Sequence, residues 1–387
     1  RLCPTVHYIN PHGNVLLPSV GSVRSRISWS ILIMKNGRSI VSLAQELERQ
    51  LATKQDLLVP SPQMFYATNE NGASTVRINV NGDDKDYGIT ELARRQLADK
   101  LKIPFPYFER MRIDQPELLD RNVNTWLTGG NERRMIRTLD GRVRAVLSDR
   151  YRRLDNFDLA EHVLPILQGL PGGKFESVEL TETRMYLKMV TDRVQIEIAP
   201  GDIVQAGVVI SNSEVGHGTL SVQPLVYRLV CKNGAIASDQ GLRKTHLGRI
   251  TESEAAAAVL FEEDTLRADD KAFFLKVRDV VQASVSEVSF RVIAEKMKQT
   301  MGIKLVGDPV KTVEVLANRY SLNDTERAGV LRHLIQEADL SGYGLVNAVT
   351  GYSQEIENYD RATEFEVLGG KLIELKKTEW EPLALAA

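Results

Sequence analysis

The dipeptide Asp140-Gly141 lies between two runs that alternate apolar and charged residues, and it constrains this chain more than any other feature. An Asp-Gly pair supplies the two positive-φ positions of a tight turn, so "RRMIRTLDGRVRAVLS" predicts a β-hairpin with a two-residue loop. Continued to Arg153, the stretch holds eight arginines, two aspartates and no lysine, in a chain whose formal charge is only -2. With such a turn, Leu139 is expected to face Arg142, Arg137 to face Arg144, Met135 to face Val146 and Arg133 to face Ser148. Alternation then puts Arg133, Arg137, Arg142 and Arg144 on one face, and Ile136, Thr138, Val143, Ala145 and Leu147 on the other. Arg137 directly across from Arg144 is a like-charge pair, which destabilises a hairpin unless an anion neutralises it. Two sources of that anion stay open: a bound ligand, or internal acids such as those at 252–270.

The choice of Arg over Lys suits bidentate recognition of phosphate or carboxylate. Arg150, Arg152 and Arg153 extend the track, and Tyr151 adds a ring on which a base could stack. A second basic cluster, Arg228, Lys232, Arg243, Lys244 and Arg249, has Asp239 as its single acid and would extend the same surface if the fold brings it near. Asn212, Ser213, Glu214 and His217 crowd a Gly-rich connection between two apolar strands and read as a binding loop. Ser, His and Glu also serve nucleophilic chemistry, but a triad is recognised by geometry, not by closeness in sequence. No catalytic residue, metal site or cofactor is assigned.

Around the hairpin the patterning changes twice. Residues 1–33 contain no Asp, Glu or Lys and are read as a non-native or disordered extension, with the protein proper beginning at Met34. Residues 34–130 read as an N-terminal helical module, with one strand at "STVRINVNGDD" and a cap at Thr90. Residues 131–250 read as an antiparallel β-rich core with the Arg hairpin, interrupted by a helix capped by Asn156. Residues 251–387 are helical. The class is therefore α+β: a central antiparallel sheet with an N-terminal helical module and a C-terminal helical region.

Other classes find little support. No apolar run reaches the roughly eighteen residues of a membrane helix. Cys3 and Cys231 form no spaced pair, which fits a reducing cytoplasm. Six scattered histidines include no HExxH-type pair, and there is no Walker loop and no G-x-G-x-x-G after a strand.

The blocks "ITELARRQLADKLKIPFPYFERM", "PELLDRNVNTWL", "RMIRTLDGRVRAVLSDRYRRLDNFDL", "SNSEVGHGTLSVQPLVYRLVCKNGAI" and "NAVTGYSQ" occur in this order. Together, from Ile89 to Tyr352, they resemble the phage- and plasmid-associated family described as domain of unknown function 932. The resemblance implies a setting among replication, recombination and antirestriction functions. It also implies an Asn-Ser-His or similar triplet where this chain has Asn212-Ser213-Glu214. With the arginine face, it leads to the expectation of a non-enzymatic nucleic-acid-binding protein of mobile elements, taking single- or double-stranded DNA, with single-strand annealing and a homo-oligomer in view. Two alternatives stand beside it: an enzyme on a phosphorylated or nucleic-acid substrate, and a protein-binding factor acting on a host defence system.

Overall fold

A computed structural model describes residues 37–80, 82–151, 153–237, 242–244 and 263–386. The extension at 1–33, and Arg152 and Arg249, lie outside the described residues, as do the side chains of Arg243 and Lys244 and of the acids at 252–270. Twelve helices and two six-stranded sheets make up the described residues, an α+β fold with helices before and after the strands.

The chain opens with α1 (Ile40–Thr53), whose N-cap Ser39 accepts the Ser42 N–H and whose Leu43 and Leu47 are buried. Strands β1 (Gln55–Pro60), β2 (Met64–Thr68), β3 (Ser74–Val80) and β4 (Asp83–Ile89) follow, then helices α2 (Glu91–Lys100), α3 (Phe105–Asp114) and α4 (Pro116–Gly129). Thr90 caps α2 through Ala93 N–H, as its sequence position suggests. The hairpin is β5 (Arg133–Leu139) and β6 (Arg142–Ser148). It joins the N-terminal strands in the order β1-β5-β6-β4-β3-β2, so the first sheet spans the expected boundary at residue 130. One pairing in it, β4 with β6, is parallel. Tyr66, Val76, Ile78, Ile136, Val143 and Val146 form its inner face and pack under Leu97, Phe108, Leu119 and Val123 of the three helices.

The turn forms as the sequence dictates, with Asp140 at φ 51° and Gly141 at φ 72° and Leu139 opposite Arg142. The expected register then fails. A bulge between Arg137 and Thr138 leaves Arg144 as an extra residue, so Arg137 faces Ala145, Ile136 faces Val146 and Met135 faces Leu147. The bulge lets β6 bury residues on both sides. Val146, bulkier than Ala145, enters the core under the helices, while Ala145 and Leu147 turn to Met135, Tyr151 and Val215.

After α5 (Asn156–Gln168) the second sheet is a meander of β7 (Gly173–Leu180), β8 (Met185–Ala199), β9 (Asp202–Asn212), β10 (Leu220–Arg228) and β11 (Asn233–Ile236), with β12 (Leu242–Lys244) paired to β10. Helices α6 (Glu263–Ser284), α7 (Glu287–Thr300), α8 (Pro309–Tyr320), α9 (Asp324–Glu337), α10 (Gly342–Tyr352), α11 (Tyr359–Ile373) and α12 (Lys377–Ala384) complete the chain. Val208 and Ile210 on one face of β9 pack with α5 and α6, while Val204 and Ala206 on that face meet α7 and α10. Alternation turns Lys188, Ser211, Ser221 and Gln223 to the opposite face, toward α11.

Glycine lets α11 lie against the sheet. A Cβ on Gly370 would sit 1.9 Å from the Ile236 carbonyl oxygen, a backbone atom that cannot swing away. Gly370→Ala is expected to cost about 1–3 kcal/mol, because the helix must shift off β11. A thermal melt reads this as a lower midpoint, and an unchanged midpoint would contradict the close approach.

Candidate anion-binding cleft

Between the two sheets the hairpin's charged face meets the loop that follows β9. Arg137 is wholly buried, and its guanidinium is filled from within. It donates to both Asp56 carboxylate oxygens (2.8 and 3.2 Å), to Asp155 Oδ1 (2.5 Å) and to the Glu214 carbonyl (2.8 Å). Burial works against its charge, but Asp155 and Asp56 outweigh that and hold its pKa above the ordinary arginine value. Burial likewise favours the neutral form of Asp155, yet the adjacent Arg137 wins and keeps this carboxyl below its usual range.

Arg144, the bulged residue, donates to Glu214 Oε2 at 2.6 Å, while Asn156 N–H donates to Glu214 Oε1 at 2.6 Å. Glu214 thus supplies an anion at the first turn of α5, where the helix dipole favours one. Asn156 was expected as the cap, but Asp155 holds that position, and its side chain is turned to Arg137 and to Lys54 Nζ at 2.7 Å. The anion that lets two arginines sit together is therefore internal, and it comes from Asp56, Asp155 and Glu214.

The remaining expected site residues divide clearly. Arg133, Arg142 and Arg150 are exposed, and Arg153 is exposed but paired with Asp56. Tyr151 is buried and donates to the Ser213 carbonyl at 3.2 Å, so its ring packs in the junction and offers no stacking platform. Burial pushes its phenol up to about 12. Arg228 is bonded through Nε to both Asp202 oxygens at 2.9 Å, and Tyr343 donates to the same carboxylate. It therefore belongs to a separate cluster. The backbones of Arg243 and Lys244 pair with Ser221 and Leu220.

The loop 212–217 is framework more than catalytic centre. Asn212 is fully buried and donates to the Leu154 carbonyl and Asn156 Oδ1. Ser213 Oγ accepts the His217 backbone N–H at 3.0 Å, the His217 side chain is exposed, and Glu214 is committed to Arg144 and Asn156. These three side chains do not make a nucleophile–base–acid relay.

Beside the buried cluster a cleft of about 380 Å³ opens between the hairpin, α1 and the β7–β8 turn. Arg38, Arg49, Arg142, Arg144 and Arg184 line it, with Glu46, Asp140, Glu182 and Glu214. Most of these charges are engaged. Arg49 bonds Glu46 and Asp140, holding the Glu46 carboxyl down at about 2 chiefly by its hydrogen bond, and Arg38 pairs with Glu179. Among the described residues Arg142 has no carboxylate partner, Arg184 donates only to the His217 carbonyl at 2.6 Å, and the buried Arg144 Nε meets no acceptor. Arg49 and Arg184 had no local signal in the sequence, since each becomes a cleft residue only through contacts between distant segments.

A sequence profile of the family described as "Domain of unknown function (DUF932)" matches residues 144–369, more than half of the chain. The protein belongs to this family. The match begins within β6 and runs through most of α11, leaving the N-terminal strands and helices outside it. Comparison with curated proteins and with solved structures gives no match. No described helix is long and apolar enough to cross a membrane.

Proposed function

We propose that this protein binds nucleic acid within mobile genetic elements, holding backbone phosphate at the cleft between the hairpin and the β7–β8 turn. One observation carries the reading. Among the described residues Arg142 and Arg184 line that cleft without a carboxylate partner, while Glu46, Asp140 and Glu214 are already occupied by Arg49 and Arg144, which leaves Glu182 as the lining acid outside an ion pair. A guanidinium with free donors beside a buried, unfilled Arg144 Nε suits the oxygens of a phosphate. The resemblance to phage- and plasmid-associated proteins supports the setting, and recombination or replication is the transaction we assign to it.

Fewer phosphates are held than eight arginines suggest, because Arg137 and Arg134 are buried. Two or three contacts give a log–log salt slope of about -2 to -3, so affinity for DNA should fall roughly 15- to 60-fold between about 50 and about 200 mM salt. Arg142→Ala and Arg184→Ala should each weaken binding and reduce the slope by about 1. Fluorescence anisotropy with labelled DNA checks this. Wild type that binds no DNA at the lower salt overturns the function, and variants that bind as wild type does overturn the cleft.

A further inference from the structure

The cleft does not end at Arg184. The same side chain lines a second cavity of about 550 Å³, between the outer face of β8–β10 and α11. Its floor is unusual for the middle of a sheet. Ser211, Ser221 and Gln223 are each more than nine-tenths buried, and Ser211 and Ser221 are direct partners across β9 and β10. Polar groups removed from water are costly unless they are bonded. Here the bonding is incomplete: Ser221 Oγ donates to Gln223 Oε1 at 2.7 Å, and Gln223 Nε2 reaches the Ala237 carbonyl at only 3.5 Å. Ser211 Oγ has no partner among the described residues. The floor therefore offers neutral donors and acceptors to an occupant of the cavity.

The rim has the complementary chemistry. Arg184 stands at one side, and Lys371, exposed and without an ion pair among the described residues, stands on α11. Of the acids of the rim, Glu364 is paired with Arg361, and Asp360 accepts from the hydroxyls of Thr181 and Thr183 but keeps its charge, so the two cations, Arg184 and Lys371, outnumber it. Tyr186 supplies a flat wall. A cationic rim over a neutral hydrogen-bonding floor fits a ligand with an anionic group at one end and an uncharged polar body at the other.

We propose that this cavity receives one unpaired nucleotide, its phosphate at Arg184 and Lys371 and its base over Ser211, Ser221 and Gln223. The proposal rests on the nucleic-acid reading above and narrows it to single strands. A base paired and stacked in a duplex cannot reach a recessed floor, whereas a single strand can turn one base inward.

The test compares a labelled single strand of about 16 nucleotides with the corresponding duplex. Wild type is expected to prefer the single strand by about tenfold, the effect of one to two hydrogen bonds to the base. The paired change Ser211→Val with Gln223→Leu should bring the two forms to within about threefold by removing those bonds. A second measurement needs no variant: photocrosslinking of wild type to a 4-thiothymidine single strand, mapped by mass spectrometry. Adducts are expected on peptides carrying Tyr186, His217 or Ser221. Wild type that binds neither DNA form overturns the functional reading itself. Binding that depends on Arg142, with no single-strand preference or with adducts only elsewhere, overturns this inference alone.

Discussion

Arg137→Ala should destabilise the protein by about 3–5 kcal/mol, the range for removing one member of a buried ion cluster. Arg137 has no exposed surface and is the main partner of Asp56 and Asp155. Lys54 would still hold Asp155, but among the described residues Asp56 would keep only Arg153, which is more than half exposed and screened by water. Most of the loss therefore comes from the stranded Asp56 carboxylate, and the missing hydrogen bond to the Glu214 carbonyl adds to it. Arg137→Lys keeps the charge without the planar fork and should fall between the two. The pH dependence has a definite sign. Because the folded pKa of Asp155 is depressed, its stabilisation is present above the unfolded aspartate value of about 3.9 and is lost as pH falls through the folded value. Urea midpoints should show wild type losing stability on acidification more steeply than Arg137→Ala. An alanine variant within about 1 kcal/mol of wild type at neutral pH would mean that the cluster is not the junction's main tie.

The hairpin shows where the sequence was legible and where it was not. Asp140-Gly141 announced the turn because positive φ at two successive positions is a local requirement. The register depended on what covers each face, which is not local. One sign was present: Ala145-Val146-Leu147 is three apolar residues in a row, and a strand with only one buried face does not need them. That run marks β6 as covered on both sides and makes a bulge reasonable. The expected like-charge opposition did not form: the bulge sets Arg137 against Ala145, and Arg137 reaches the Glu214 carbonyl while Arg144 takes its carboxylate. These partners were out of reach, because Asp56 and Glu214 lie 81 and 77 residues from Arg137. The helices beyond 263 could be read from their periodicity. Strands β1, β2 and β4 could not, because "QDLLVP", "MFYAT" and "DDKDYGI" are too short or too polar to alternate clearly. Ser211, Ser221 and Gln223 carry no local sign of their burial, because the cover comes from α11, a distant segment.

The same physics predicts a second large loss on the far side of the second sheet. Lys188 and Glu366 are each 2% exposed and meet at 2.5 Å, with Thr363 Oγ1 at 3.1 Å from the ammonium and the Tyr359 ring 4.7 Å away. Burial alone would push the Lys188 pKa down, but Glu366 outweighs it and holds the value above the ordinary lysine range. Glu366→Ala should therefore cost about 3–5 kcal/mol at neutral pH by leaving an unpaired ammonium in the interior. Lys188→Met with Glu366→Leu, which removes both charges, should come within about 1 kcal/mol of wild type or exceed it. Alkaline pH separates these cases by sign. In wild type the raised folded pKa means that the contribution of Lys188 is complete below the unfolded lysine value of about 10.4 and fades as pH rises through the folded one. In Glu366→Ala the folded pKa falls below the unfolded value, so stability should rise as pH climbs from about 7 toward about 10. Urea midpoints at the two pH values test this, and a Glu366→Ala variant that loses stability in alkali would show that another group titrates there. If the paired apolar variant stays folded, apolar packing is enough to hold α11 over the sheet, and the two buried charges are not needed for it.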